Sequence, residues 1–254
     1  MFRLYSILII LIVTPLIGKG QAPQMAQVEG GTYLPVYGTG DSIEIGSFYM
    51  DIHPVTNAQF LDFVENNQQW RKSEVKRFFA DERYLQDWPA DLELGEDSKP
   101  QWPVKNISWH AAKNYCECQG KRLPTVHEWE YAARADQTKP DARQDEEYTK
   151  YILSWYETPK AYAKDVMNTY QNYWGIWDMH GLVWEWNQDF NSVMLVSDAA
   201  TPGAENAGYC DPGAVTTSDM IDYAAFMRFA FRSTQEAPYT SRNLGFRCVQ
   251  DIEQ

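Results

Sequence analysis

GIWDMHGLVWEWNQDF, Gly175 to Phe190, is the run around which the other blocks of the sequence are organised. Three tryptophans (Trp177, Trp184, Trp186) stand among Asp178, Glu185 and Asp189. Strand alternation puts Trp184 and Trp186 on one face and Val183 and Glu185 on the other. A carboxylate between two indoles is costly to bury unless an arginine, a metal or backbone amides neutralise it. Two further blocks flank this one: GKRLPTVHEWEYAAR (Gly120 to Arg134) upstream and RNLGFRC (Arg242 to Cys248) downstream.

The outer bounds come from composition. Residues 1–20 carry Arg3, an apolar run from Leu4 to Val13 and small residues at Gly18 and Gly20, the pattern of a secretory signal cleaved before Gln21. The run is too short for a comfortable membrane span. The expected mature chain, residues 21–254, is a single periplasmic or secreted domain with no membrane association. Cleavage removes two cations, Arg3 and Lys19, and no acid, so the net charge moves from −13 to −15. That balance excludes nucleic acid and anionic membrane surfaces as partners. Ten Trp, sixteen Tyr and eleven Phe point to a core built from rings.

Between these bounds the elements read as short. Val28 to Tyr33 is a strand and turn, and Ser47 to His53 alternates as a strand. Thr56 with Gln59, and Thr125 with Glu128, form capping boxes that start two helices, and Ser108 caps a third that Gly120 stops. Arg71 to Pro100 swings from basic to acidic and reads as an exposed helix and a surface loop. A strand is expected over Pro103–Trp109 and a short helix near Thr149–Trp155. Phe226 to Arg232 alternates as a strand with Arg228 and Arg232 on one face, and Glu185, Asp178 and Asp189 are their candidate carboxylates. Arg122 and Glu130 are a candidate buried pair, and Gly245 to Cys248 is the closing strand.

The three blocks, in this order, resemble the formylglycine-generating (sulfatase-modifying factor) family from about Val28 to Val249. The resemblance implies an α+β fold, distantly C-type-lectin-like, with short strands, few helices and much loop. Spacing alone leaves three pairings open for Cys116, Cys118, Cys210 and Cys248; the resemblance implies Cys116–Cys248. In the family, a substrate cysteine is oxidised with O₂ by copper on two thiolates, soft ligands suited to Cu(I). Carried onto Arg232-Ser233, the two thiolate positions, with four residues between them, are Ala224 and Phe229, and Tyr223 to Arg247 contains no cysteine. The Gly-Asn that helps the family's Trp-Glu-Trp hold Ca²⁺ is Gly181-Leu182 here, leaving Glu185 and backbone carbonyls as a weakened calcium site.

HGLVWEW (180–186), YAAFMRFAFRS (223–233) and WRKSEVKRFFADE (70–82) resemble most closely the NirV-type subgroup, encoded beside copper nitrite reductases. The implied role is a non-catalytic accessory or maturation factor for a peptide or protein partner, with a copper-containing nitrite reductase as the candidate. The expected groove walls are Trp184, Trp186, His180, Arg228 and the Tyr209-Cys210-Asp211 turn. The alternative is a metal-dependent oxidase with a rebuilt copper centre, in which Cys210 supplies the thiolate, assisted by Met220 or Met227. His53, His110, His127 and His180 have no metal-ligand spacing.

Overall fold

The computed structural model describes residues 25–35, 41–191 and 220–252. The expected signal segment and the Tyr209-Cys210-Asp211 turn lie outside the described residues. The fold is α+β, with strands of two to four residues and helices of eight to fourteen.

Strands β1 (Met25–Val28), β4 (Phe48–Asp51) and β7 (Val249–Asp251) form an antiparallel sheet with β4 central, so both ends of the described chain meet in one sheet. A hairpin joins β2 (Gly31–Tyr33) to β3 (Ile43–Ile45). Helix α1 (Asn57–Asn66) starts at the Thr56–Gln59 capping box. Helix α2 (Trp109–Cys118) starts at Ser108, and Gly120 follows its end at φ +69°, a conformation glycine adopts without strain. Helix α3 (Val126–Ala133) starts at the Thr125–Glu128 box. Helix α4 (Glu146–Tyr156) is capped by Asp145. Strand β5 (Trp184–Glu185) pairs in parallel with β6 (Leu244–Gly245). Helix α5 (Met220–Ser233) packs on α4.

Several expectations are corrected. The segment 220–233 is a helix: Ala224, Arg228 and Arg232 are buried every fourth residue, a period the alternation of Phe and Arg concealed. Pro103–Trp109 forms only a bridge from Pro103 to Thr56. The basic stretch after Trp70 is a series of turns, and its aromatic residues do not all face water. Tyr84, Leu85 and Trp88 are buried in the core with Phe60, Tyr115, Trp186 and Phe246. The closing segment is interrupted at Arg247, which leaves the ladder and turns inward.

Arg247 is fully buried between Phe246 and Cys248. Its Nε donates to both Glu185 oxygens (2.8 and 3.0 Å) and its Nη2 to Oε1 at 2.8 Å. The remaining donors reach the carbonyls of Asp51, Trp177 and Asp178 at 3.0–3.2 Å. Trp129 Nε1 donates to Glu185 Oε2 at 2.7 Å. The Glu–Arg pair thereby ties β4, the 177–178 turn, β5 and α3 to one point. Beside it, Cys116 and Cys248 form the disulfide, with Cα atoms 5.6 Å apart and 132 residues apart in sequence. Closing so long a loop stabilises by about 4–5 kcal/mol in the chain-entropy model.

Removing one partner from this pair strands the other charge in the core. Arg247→Met is expected to lower the unfolding free energy in urea by about 3–5 kcal/mol. Arg247→Met/Glu185→Leu should recover a large part of that loss. A single-variant loss below about 1 kcal/mol, the range of an exposed pair, contradicts this assignment.

Candidate functional site

Above the Glu185–Arg247 layer, the four-residue spacing on α5 carries Arg228 and Arg232 to a single carboxylate, Glu130 of α3. Arg228 donates from Nε at 2.8 Å and Nη2 at 2.7 Å, and Arg232 from Nη1 at 2.6 Å. Arg232 Nε donates to Asn187 Oδ1 at 2.8 Å. This overturns the expected pairing of these arginines with Glu185, Asp178 and Asp189. Glu185 is taken by Arg247, Asp178 accepts the amides of Met167, Asn168 and Thr169, and Asp189 accepts the Val126 amide at the start of α3. It overturns the Arg122–Glu130 pair as well. Residues 128 and 130 point about 200° apart on a helix, so Arg122 takes Glu128 bidentately and also meets Asp251, while Glu130 faces α5.

Burial pushes the Glu130 carboxyl up, but Arg228 and Arg232 outweigh it and hold it well below the ordinary carboxylate range. Trp129 joins the two layers. Its N–H serves Glu185, while the Arg228 and Arg232 guanidinia lie 5.7 and 5.0 Å from its ring centroid. His180 meets the same ring edge-on at 6.0 Å. Its Nε2 lies 2.8 Å from the Ala133 carbonyl and 3.0 Å from the Tyr148 hydroxyl. A carbonyl only accepts, so Nε2 carries the proton of a neutral ring. Burial, and then the charge of Arg228, lower the His180 pKa from 6.5 to about 3.

The groove opens beside this lattice, with a volume of about 270 Å³. Trp184 stacks on Tyr156 (5.3 Å, 6°) and on Phe231 (4.6 Å, 19°). Trp155, Tyr162, Met227 and Asn243 line the remainder with His180 and Arg228. Trp155 Nε1 is buried. Of the expected walls, Trp184, His180 and Arg228 come together here. Trp186 does not: only Trp184 and Glu185 are in strand conformation, and the Trp186 indole turns into the core and donates to the Ile107 carbonyl at 2.7 Å. Tyr209, Cys210 and Asp211 lie outside the described residues. Tyr156 and Phe231 were not legible as walls; the signal for Phe231 was its spacing of four from Met227, on a helix read as a strand.

The residues fit neither metal that the resemblance implies. Ala224 is buried with Ala142, Tyr148 and Ile152, and Phe229 also lies in α5; a methyl and a phenyl ring offer copper no donor. At Glu185 both carboxylate oxygens are held by Arg247 and Trp129, so a calcium ion would have to displace a guanidinium. Among the described residues no group of three or more His, Cys, Asp or Glu is placed to hold a metal ion. Cys118 is exposed and free.

A family model described as a sulfatase-modifying factor enzyme 1-like domain matches residues 15–252. The inactive C-alpha-formylglycine-generating enzyme 2 of Bos taurus is 27% identical over 279 residues, covering 92% of this chain and 90% of its own. The formylglycine-generating enzyme of Streptomyces coelicolor is 31% identical over 173 residues, 61% of this chain and 54% of that enzyme. Serine/threonine-protein kinase pkn1 of Chlamydia caviae is 31% identical over 246 residues; the match takes in 91% of this chain and spans 38% of that protein. The solved Treponema denticola variable protein 1 shares the fold, with TM-score 0.51 at 14% identity, covering 90% of this chain and 95% of its own.

The neutral, buried His180 gives the site a pH signature. Its folded pKa lies below the unfolded value of 6.5, so on acidification the unfolded chain takes up the proton first. Stability therefore falls from near pH 6.5 downward, by up to about 1.4 kcal/mol per pH unit. Glu130, also depressed, adds a loss of the same sign only below its unfolded value of 4.5. Urea unfolding between those two pH values isolates the histidines. His110, lowered by burial and Lys113, contributes in the same sense, so the comparison is with His180→Asn. The variant should flatten most of the slope, and an unchanged slope would place the His180 charge elsewhere.

Proposed function

The chain belongs to the sulfatase-modifying factor enzyme 1-like family, and from that premise we propose an exported, non-catalytic accessory or maturation factor that binds a peptide or protein partner in the Trp184 groove. The observation that carries this reading is chemical. Where the family's two copper thiolates fall, α5 presents Ala224 and Phe229. The inactive formylglycine-generating enzyme 2 of Bos taurus, matched over nearly its whole length, is consistent with the same condition.

The groove has the composition of a binding site: rigid ring faces, with a few polar groups at fixed positions. Trp184, Tyr156 and Phe231 offer an apolar stack for a side chain of the partner. Asn243 and Arg228 are polar groups at its wall. Arg228 and Arg232 are committed to Glu130, so they make a fixed wall and lose no freedom on binding. Residues 180–186 and 223–233 support a finer assignment, that the subgroup is NirV-type and the partner a periplasmic copper nitrite reductase.

The test is co-purification of the tagged chain from the periplasm of a denitrifying bacterium, followed by a binding assay with the recovered reductase. Trp184→Ala/Phe231→Ala should weaken binding roughly tenfold or more while Glu82→Gln, on the exposed surface, leaves it unchanged. Failure to recover a cupredoxin-type reductase removes the finer assignment. Unchanged binding by the groove variant removes the groove.

A further inference from the structure

Behind the groove lies a second, smaller chamber of about 40 Å³, lined by Tyr33, Glu130, Arg134, Arg143, Tyr148 and Arg228 among others. It has room for a few water-sized particles. Its charge is unbalanced. Arg134, Arg143 and Arg228 line it, with Arg232 bonded to the same Glu130, and among the described residues two carboxylates answer these four guanidinia. Glu130 is shared by Arg228 and Arg232. Asp141 is taken bidentately by Arg143 and lies 3.5 Å from Arg134 Nη1.

Arg134 is the least compensated of the four. Its guanidinium sits over the Tyr131 ring at 4.0 Å, and its Nε is buried with no hydrogen-bond partner. Arg134 and Arg143 both lie 5.6 Å from the ring centroid of Tyr33, itself buried at the chamber wall. His180, also at the wall, is neutral at ordinary pH and adds no further positive charge. Buried donors left unmatched beside excess positive charge are costly, and water supplies an acceptor without the missing charge.

We propose that this chamber is a binding site for a small monovalent anion of halide size, held by Arg134, Arg143 and Arg228. The ligand class follows from the volume, which excludes phosphate esters and peptides, and from an excess of guanidinium donors over carboxylates. The site is separate from the Trp184 groove, sharing Arg228 and His180 with it among the described residues. An anion there would fix the guanidinium that forms the groove's inner wall.

The test uses the full chain in sodium gluconate at constant ionic strength, with chloride or bromide substituted stepwise for gluconate. The expected result is a saturable rise in Tm of roughly 5 °C at a hundredfold excess over Kd. A bromide anomalous peak should appear in the chamber of crystals grown in that salt. Arg134→Gln should abolish the rise and the peak, yet remain at least as stable as the parent in gluconate, because it removes an uncompensated cation. Tyr33→Phe, which keeps the ring and all four arginines, should still show the rise, so that a folding defect in one variant does not decide the matter. A Tm that ignores halide, or a non-saturating rise shared by Arg134→Gln, overturns the proposal, as does a chamber without bromide.

Discussion

A charge pair sealed from solvent, Glu185 with Arg247, is the constraint the rest of this structure obeys. Neither group is tolerable in the core alone, and removing either from water costs several kcal/mol. The cost is offset because every oxygen of the glutamate and every nitrogen of the guanidinium finds a partner, and those partners come from four separate parts of the chain. With strands this short, sheet hydrogen bonding contributes little rigidity. The lattice of charged side chains, with the Cys116–Cys248 bridge beside it, takes over that task.

The second layer repeats the arrangement with two arginines to one glutamate in place of one to one. Trp129 connects the layers through its N–H on one side and its ring face on the other. A scaffold so fixed can carry a groove whose aromatic walls need no rearrangement on binding. It also explains how the fold persists with hydrocarbon at the two positions that the family resemblance gives to copper. The metal positions lie on α5, and the fold is held by Glu130, Glu185 and their arginines.

Much of this was legible in the sequence, for local reasons. The capping boxes at Thr56 and Thr125 and the cap at Ser108 are read from side chains three residues apart, and each starts a helix where expected. The Glu between tryptophans announced a buried counter-charge, and the resemblance supplied the disulfide. What failed was non-local. Alternating Phe and Arg over 226–232 suits a strand, but spacing by four suits a helix equally, and only the partner on α3 decides between them. Which arginine meets which glutamate depends on helix faces, so Arg122 meets Glu128, which also keeps its capping role, and Glu130 turns to the arginines of α5. The separation of Trp184 from Trp186 follows from a strand that ends after two residues, and no periodicity encodes that.

The proposed function implies that oxidase chemistry is lost from the family scaffold. Its most direct measurement is mass spectrometry of a cysteine-containing sulfatase-motif peptide after aerobic incubation with the purified chain and added copper. The predicted result is a peptide whose cysteine is unchanged, while an active formylglycine-generating enzyme converts it in parallel. Conversion of that cysteine to the aldehyde by this chain contradicts the account.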